Sequence, residues 1–115
     1  MVENISSIGS QREPAHNVAG ALLVEHERVE DYLARIKTGP DLILADPPRA
    51  GLGKAVVAHL NRLAPKRLVI VSCDPATLAR DLAAMPNYSL ARVTMVDLFP
   101  QTYHLETVVH LQRNV

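Results

Sequence analysis

Two short apolar runs, each followed by an amphipathic stretch, constrain the fold of this chain more than any other feature of its sequence. The runs are DLILA (Asp41–Ala45) and RLVIVS (Arg67–Ser72). Residues 54–63 follow the first run and residues 75–85 the second, both with apolar side chains at helical spacing. Continuous apolar strands that alternate with helices indicate a parallel sheet covered on both faces. We therefore predict an α/β fold.

The amino-terminal part carries weaker signals. Residues 1–17 are polar and show no sustained period, which indicates a loose lead-in. A strand is predicted around Ala21–Glu25, and a helix over 28–36. Gly39 and Pro40 are expected to end that helix.

The carboxyl-terminal part predicts two more strands, over 89–99 and 104–114. The connection between them, FPQTY, is short. We therefore expect these strands to form an antiparallel pair at the edge of the sheet. The strand ends matter for function, because open α/β sheets bind ligands beyond the carboxyl ends of their strands.

Composition limits the possible functions. The chain has 115 residues, enough for one domain, with 12 basic and 12 acidic residues and one cysteine. Without a basic excess, RNA binding by this chain alone should be weak. One cysteine excludes an internal disulfide and a zinc cluster. No signal peptide and no apolar run long enough to span a bilayer is visible. We therefore expect a cytoplasmic protein that binds neither a membrane nor a metal ion.

The single cysteine, Cys73, directly follows the second apolar run. Pro75 suits the first position of a helix and Asp74 its N-cap. The helix dipole favours the reactive thiolate at such a site, whereas the neighbouring Asp74 opposes it. Position alone leaves two alternatives open, a nucleophile or a buried, inert cysteine.

Asp46 and Arg49 follow the first apolar run in the turn-rich stretch DPPRAGLG. The two prolines stiffen the turn and remove two backbone donors. Asp46 is a candidate for binding a ligand at the sheet edge, or it caps the next helix. Arg49 is a candidate partner of Asp46 or of a phosphate or carbonyl group, or it is solvated.

Glu106 interrupts an otherwise apolar strand. Strand alternation places Leu105, Thr107 and Val109 on one face, and His104, Glu106 and Val108 on the other. A half-desolvated carboxylate there suits proton abstraction. The alternative, which the isolated pattern favours, is a Glu106 that faces solvent on an edge strand.

Three ordered stretches together carry a family resemblance: DPPRAGL (46–52), SCDPATLARDL (72–82) and DLFPQTYHLETVVHLQR (97–113). They resemble the carboxyl-terminal part of the RNA uracil-5-methyltransferases, which methylate C5 of a uridine in ribosomal or transfer RNA with S-adenosylmethionine. The similarity extends over about residues 18–113. It implies the distal half of a Rossmann-like class I methyltransferase sheet, mostly parallel with an antiparallel carboxyl-terminal strand pair.

The resemblance also implies residue roles. Cys73 matches the nucleophile that adds to C6 of the uracil, and Glu106 matches the base that removes the C5 proton. Asp46 matches the acid that contacts the cofactor and the target base. Arg49 and His104 are the implied substrate-binding residues. An aromatic side chain often occupies the position of Arg49 in amino-methyltransferases, which need no cysteine, so this set favours carbon methylation.

Two departures from the family pattern stand out. Asp74 replaces a more usual Asn, and the five glycines, at positions 9, 20, 39, 51 and 53, form no glycine-rich cofactor loop. The resemblance therefore implies a loose lead-in over 1–17 and a partial domain over 18–115, without the cofactor-binding half or the RNA-binding barrel. We expect marginal stability alone, or association with a second chain that supplies the missing half.

Three hypotheses follow. The first is a split or truncated uracil-5-methyltransferase that acts on RNA through Cys73. The second is a non-catalytic α/β remnant or protein-binding module. The third is an unrelated thiol-dependent enzyme, which is disfavoured because Cys73 has no resolving cysteine and no histidine close in sequence.

Overall fold

The computed structural model describes residues 23–97 and 105–115. These residues form three helices and four strands. They are α1 (Val29–Arg35), β1 (Leu42–Ala45), α2 (Lys54–Leu63), β2 (Arg67–Ser72), α3 (Pro75–Ala83), β3 (Tyr88–Asp97) and β4 (Leu105–Arg113). The predicted alternation of strands and helices from residue 41 onwards is therefore confirmed.

The four strands form one mixed sheet in the order β1-β2-β4-β3. β1 and β2 are parallel, and β4 is antiparallel to both of its neighbours, β2 and β3. β3 consequently runs in the same direction as β1 and β2. The predicted antiparallel pairing of the last two strands is confirmed, but only β3 lies at the edge, because β4 is inserted between β2 and β3.

The hydrophobic core lies between the helices and one face of this sheet. From the sheet it takes Ile43, Leu68, Ile70, Val109 and Leu111, which are all buried. The helices contribute the buried residues Leu33, Val56, Val57, Leu60, Leu63 and Leu78 to the same cluster. Alternation along each strand places these sheet residues on a common face, so the described helices pack against that face.

The opposite face of the sheet carries Leu44, Val69, Val71 and Val108, which are only half-buried and lie outside the core cluster. Leu42 on the same face of β1 is exposed. Among the described residues, helices cover one face of the sheet, and cover of the opposite face stays a prediction. Apolar runs in β1 and β2 are compatible with two covered faces, but the strand pattern alone does not determine which faces the local helices cover.

The predicted strand around Ala21–Glu25 is also wrong over its described part. Residues 21–22 lie outside the described residues, Leu23 forms an isolated bridge, and Val24 and Glu25 are not in a strand. This segment has no continuous partner among the four described strands. An apolar run becomes a strand only where a neighbour supplies a ladder of hydrogen bonds.

The helix boundaries reflect local chemistry. α1 begins at Val29 and ends at Arg35, where Ile36 turns extended. It therefore ends before Gly39 and Pro40, which were expected to stop it. α2 ends at Ala64, which adopts the left-handed conformation and donates its backbone N–H to the Leu60 carbonyl oxygen.

Candidate active site

Cys73 is an exposed residue in the loop between the end of β2 and the start of α3. Asp74 is the N-cap of α3, and its Oδ1 accepts hydrogen bonds from the backbone N–H groups of Ala76 (2.9 Å) and Thr77 (3.2 Å). The Ser72 hydroxyl group hydrogen-bonds both the N–H and the carbonyl oxygen of Asp74. The predicted N-cap is confirmed, and the expectation that an inert Cys73 would be buried is wrong; its role as a nucleophile stays a prediction.

Glu106 lies on β4 next to the end of β2. Ser72, the last residue of β2, pairs with Thr107 in the antiparallel ladder. Cys73 follows Ser72 and Glu106 precedes Thr107, so both residues lie next to this last pair. On its other side Glu106 pairs with Val96 of β3. Glu106 is half-buried on an internal strand, so the alternative of an edge-strand glutamate is wrong. The predicted alternation is confirmed, because Thr107 and Val109 are buried on the other face.

Asp46 directly follows β1, the neighbour of β2 on the other side. The last described pair between these strands joins Ala45 to Ile70, and β2 continues for two further residues. At about 3.3 Å per residue, Cys73 therefore stands roughly 7 Å farther along the strand direction than Asp46. Asp46 is half-buried and does not cap α2, whose N-cap is Gly53.

The two candidate substrate-binding residues have different outcomes. Arg49 is exposed in the turn that follows Asp46 and the two prolines. This turn is closed by a hydrogen bond from the Gly51 N–H to the Pro48 carbonyl oxygen (2.9 Å). His104 lies outside the described residues, so its role stays a prediction.

A cleft of about 680 Å³ opens beside Asp46, at the carboxyl end of β1. Its walls come from the start of α1, from β1, from the turn after β1 and from α2. Acidic side chains in the lining are Glu27, Glu30 and Asp46, and apolar side chains include Leu33 and Leu52. The volume is in the range of small-molecule binding sites, which are about 300–1,000 Å³. Cys73 does not line this cleft.

Sequence reasoning missed the acid Asp81, which is 4% exposed on α3. Its Oδ2 accepts a hydrogen bond from the backbone N–H of Leu52 in the turn-rich stretch after β1 (2.8 Å). The signal was present in the sequence, since Asp81 occupies a position at helical spacing between the apolar Leu78 and Met85. A carboxylate on an apolar helical face is costly to bury and therefore needs a partner.

Over 23–97 and 105–115, no group of three or more His, Cys, Asp and Glu side chains is placed to hold a metal ion. None of the helices in the described part of the chain has the length and apolar character needed to cross a bilayer.

The profile of the tRNA (Uracil-5-)-methyltransferase family matches residues 12–114. Among curated proteins, a 23S rRNA (uracil(1939)-C(5))-methyltransferase of Enterobacter is 40% identical over 96% of this chain and 27% of its own length. An RNA methyltransferase of Thermotoga maritima, itself uncharacterized, is 49% identical over 72% of this chain and 19% of its own length. The chain thus spans roughly a fifth to a quarter of these relatives.

A solved structure gives the same result. The tRNA (uracil-54, C5)-methyltransferase of Pyrococcus abyssi, in complex with S-adenosyl-L-homocysteine, is 43% identical with a TM-score of 0.60. The match covers 64% of this chain and 19% of that chain.

Proposed function

The chain belongs to the tRNA (uracil-5-)-methyltransferase family, and from this premise we propose that it carries the nucleophile and the base for S-adenosylmethionine-dependent methylation of uridine C5 in RNA. One observation carries the proposal. Cys73 directly follows β2, and Glu106 lies on the adjacent strand β4 beside the last β2–β4 pair; Asp46 follows β1 at the same end of the sheet. The three residues belong to, or directly follow, three separate strands, so their approach is a property of the fold.

The topology supports a finer description of the fold, the distal half of a Rossmann-like class I methyltransferase sheet. β1, β2 and β3 run in one direction, and β4 is the one reversed strand among the four. In this proposal the cofactor-binding half of the domain adds to the sheet next to β1. That half is supplied by a longer polypeptide or by a second chain.

The proposed chemistry divides one difficult step into easier ones. C5 of uracil is a poor nucleophile, so the Cys73 thiolate first adds to C6, and the electron pair of the C5–C6 double bond makes C5 nucleophilic. When bound, S-adenosylmethionine would supply the methyl group to C5 and leave as S-adenosylhomocysteine once its sulfur–methyl bond breaks. Glu106 then accepts the C5 proton, and the thiolate leaves C6 as the double bond forms again. Cys73 is thereby regenerated.

The residues around the cleft fit this cofactor. S-adenosylmethionine carries a sulfonium and an ammonium group, and the carboxylates of Glu27, Glu30 and Asp46 line the cleft. Glu27 is already paired with Arg35, and Glu30 with Arg28, which also lines the cleft. Opposite charge favours binding most strongly where water is partly excluded. Asp46 is the lining residue that directly follows β1, the strand that neighbours β2.

RNA is the proposed partner, with a uridine of ribosomal or transfer RNA as the target. Zero formal charge gives this chain little general attraction for phosphate. Specific recognition in this proposal comes from the target base at Cys73, with Arg49 as an exposed cation in the turn that follows Asp46. The remaining RNA affinity is assigned to parts of the enzyme beyond this chain.

A covalent trapping experiment tests the proposal. The chain is incubated with S-adenosylmethionine and an RNA that contains 5-fluorouridine, alone and with the cofactor-binding half of a relative. Fluorine at C5 cannot leave as a proton, so the adduct should persist and map to Cys73 by mass spectrometry. Cys73→Ser, which removes the only thiol, is the matched control and should form no adduct.

A second variant separates the two proposed roles. Glu106→Gln keeps the size of the side chain but removes the base, so it should accumulate a Cys73 adduct with ordinary uridine RNA. The wild-type chain should release that RNA as methylated product. If the wild-type chain forms no adduct with the 5-fluorouridine RNA, either alone or with the cofactor-binding half of a relative, the catalytic proposal is refuted.

A non-catalytic protein-binding module is the second candidate. It is favoured by the apolar side chains that the sheet exposes, notably Met95 (61% exposed) and Val93 (49% exposed) on β3. Such surfaces commonly mark protein contacts. Calorimetry that detects S-adenosylmethionine binding by the chain itself would argue against this candidate.

A further inference from the structure

Asp81 is a buried carboxylate that the proposed chemistry does not use. It projects from the last turn of α3 and is 4% exposed, in a position where an apolar side chain would extend the hydrophobic face of the helix. Burial of a charged group is unfavourable unless hydrogen bonds compensate for the lost water. The contacts of Asp81 therefore indicate what its burial achieves.

Both oxygens of Asp81 are engaged. Oδ2 accepts the hydrogen bond from the Leu52 N–H at 2.8 Å, and Oδ1 lies 3.1 Å from the Arg80 Nη2 atom. Hydrogen bonds to a charged group are among the stronger ones in proteins. Asp81 thus ties α3 to the DPPRAGLG loop (residues 46–53), which connects β1 to α2.

Two neighbours of Asp81 on α3 hold the same loop. Arg80 donates from Nη2 to the Ala50 carbonyl oxygen at 2.7 Å. The Thr77 hydroxyl group lies 3.1 Å from the carbonyl oxygens of both Arg49 and Asp74, so its proton is shared between the loop and the start of its own helix. Three side chains of one helix therefore bind backbone groups of three loop residues, 49, 50 and 52.

Gly51 shows how closely the loop and the helix approach. It has a φ of +89°, and a β-carbon at this position would lie 2.6 Å from Asp81 Oδ2 and 2.7 Å from Arg80 Nη2. Only glycine combines that backbone conformation with that contact at low cost. The side chains of α3 therefore pack directly against the loop backbone.

The same helix also starts at the candidate nucleophile. Its N-cap is Asp74, and Cys73 immediately precedes the cap. At the other end of the DPPRAGLG loop, Asp46 is separated from Arg49 only by Pro47 and Pro48. Because prolines restrict the backbone, a fixed Arg49 also limits the movement of Asp46.

We propose that Thr77, Arg80 and Asp81 are positioning residues: they bracket the DPPRAGLG loop to α3 and so set Asp46 relative to Cys73. The reason for this bracket rests on the proposed function, because methyl transfer requires cofactor and target base to be aligned. The bracket itself is a statement about geometry. It can therefore be tested separately from methylation.

The only cysteine makes the geometric test direct. A nitroxide label on Cys73 broadens nearby backbone amide signals in NMR spectra, and the broadening depends steeply on distance. Asp81→Leu removes the acceptor for Leu52 while it keeps an apolar helical face. We expect altered broadening of the Asp46 and Leu52 amides. Amide exchange of Leu52 should rise at least about tenfold, as expected for loss of a hydrogen bond to a charged group.

Two matched variants distinguish positioning from simple destabilisation. Leu78→Ala removes a buried core side chain of the same helix but none of the loop contacts, so the broadening at Asp46 should stay at the wild-type value. Asp81→Asn keeps an oxygen that can accept from Leu52, so it should restore most of the wild-type pattern. Arg80→Met, which removes the bond to Ala50, should shift the loop in the same direction as Asp81→Leu.

The outcomes separate this inference from the proposed function. If Asp81→Leu leaves both the broadening and the Leu52 exchange unchanged, the bracket is refuted. The bracket is also refuted if Leu78→Ala changes the broadening and the Leu52 exchange as much as Asp81→Leu does. If Asp81→Leu does not fold, Asp81→Asn and Arg80→Met decide by the same readouts. A wild-type chain without a 5-fluorouridine adduct would refute the catalytic proposal, while the label and exchange data would still decide the bracket.

Discussion

The cap of α3 provides a stability prediction with a magnitude. Asp74 satisfies the backbone N–H groups of Ala76 and Thr77, which α3 leaves without helical partners. Loss of an N-cap side chain costs about 0.5–2 kcal/mol, and loss of a negative charge at a helix start about 0.3–1 kcal/mol. Asp74→Ala should therefore lower the free energy of unfolding by about 1–2 kcal/mol.

Asp74→Asn separates the two contributions. Its amide oxygen can accept the same two hydrogen bonds, so only the charge is lost, and the expected decrease is about 0.3–1 kcal/mol. Urea unfolding followed by circular dichroism, with linear extrapolation to water, measures both variants. Amide exchange of Ala76 and Thr77 should increase in Asp74→Ala and change little in Asp74→Asn.

Asp41→Ala is the matched control for removal of a carboxylate. The Asp41 side chain is 84% exposed and lies 3.8 Å from the Lys66 ammonium group. Such exposed ion pairs contribute little, so this variant should remain within about 0.5 kcal/mol of the wild-type chain. The reasoning about the cap is refuted if Asp74→Ala behaves like Asp41→Ala. It is also refuted if Asp74→Asn loses as much stability as Asp74→Ala.

Three further predictions concern the core, a close backbone contact and alkaline pH. Leu68 is 0% exposed, so Leu68→Ala should lower the free energy of unfolding in urea by about 2–5 kcal/mol. Leu90→Ala, at an exposed site, should lower it by less than about 0.5 kcal/mol. Similar losses in both variants would contradict the assigned core. A β-carbon at Gly39 would overlap the Leu63 carbonyl oxygen, so Gly39→Ala should lower stability by about 1–3 kcal/mol, and wild-type stability would contradict that contact. Burial raises the pKa of Tyr88, and the charge of Arg113 opposes this with a smaller effect. The free energy of unfolding should therefore be constant below the unfolded pKa of about 10, and it should fall as the pH rises towards the higher pKa of the folded state. Tyr88→Phe should reduce this fall, and an identical pH profile in both proteins would refute the assignment.

Periodicity in the sequence was sufficient for most of the elements. α2 and β2 have the predicted bounds, because the apolar positions at spacing 3.6 and the continuous apolar run are both local signals. α1 ended earlier than Gly39 and Pro40 suggested. The strand expected around Ala21–Glu25 was wrong over its described part, since strand formation depends on a neighbour that the local pattern does not reveal.

The candidate site was predicted in part. The sequence predicted the N-cap at Asp74 and the alternation around Glu106, because both depend on neighbours within a few residues. It did not resolve whether Cys73 is exposed or whether Glu106 lies on an internal strand. The role of Asp81 also escaped prediction, since its partner, Leu52, is 29 residues away in the chain.

The sequence by itself determined the α/β class, the order of elements and the family, because hydrophobic periodicity and the ordered motifs are properties of local residue strings. Only the tertiary structure decided that β4 inserts between β2 and β3, which brings Glu106 beside the end of β2, where Cys73 follows. It also decided which face of the sheet the described helices cover and which loop Asp81 holds. These outcomes depend on contacts between residues far apart in the chain, whose energies are set by burial and hydrogen bonding in the folded state.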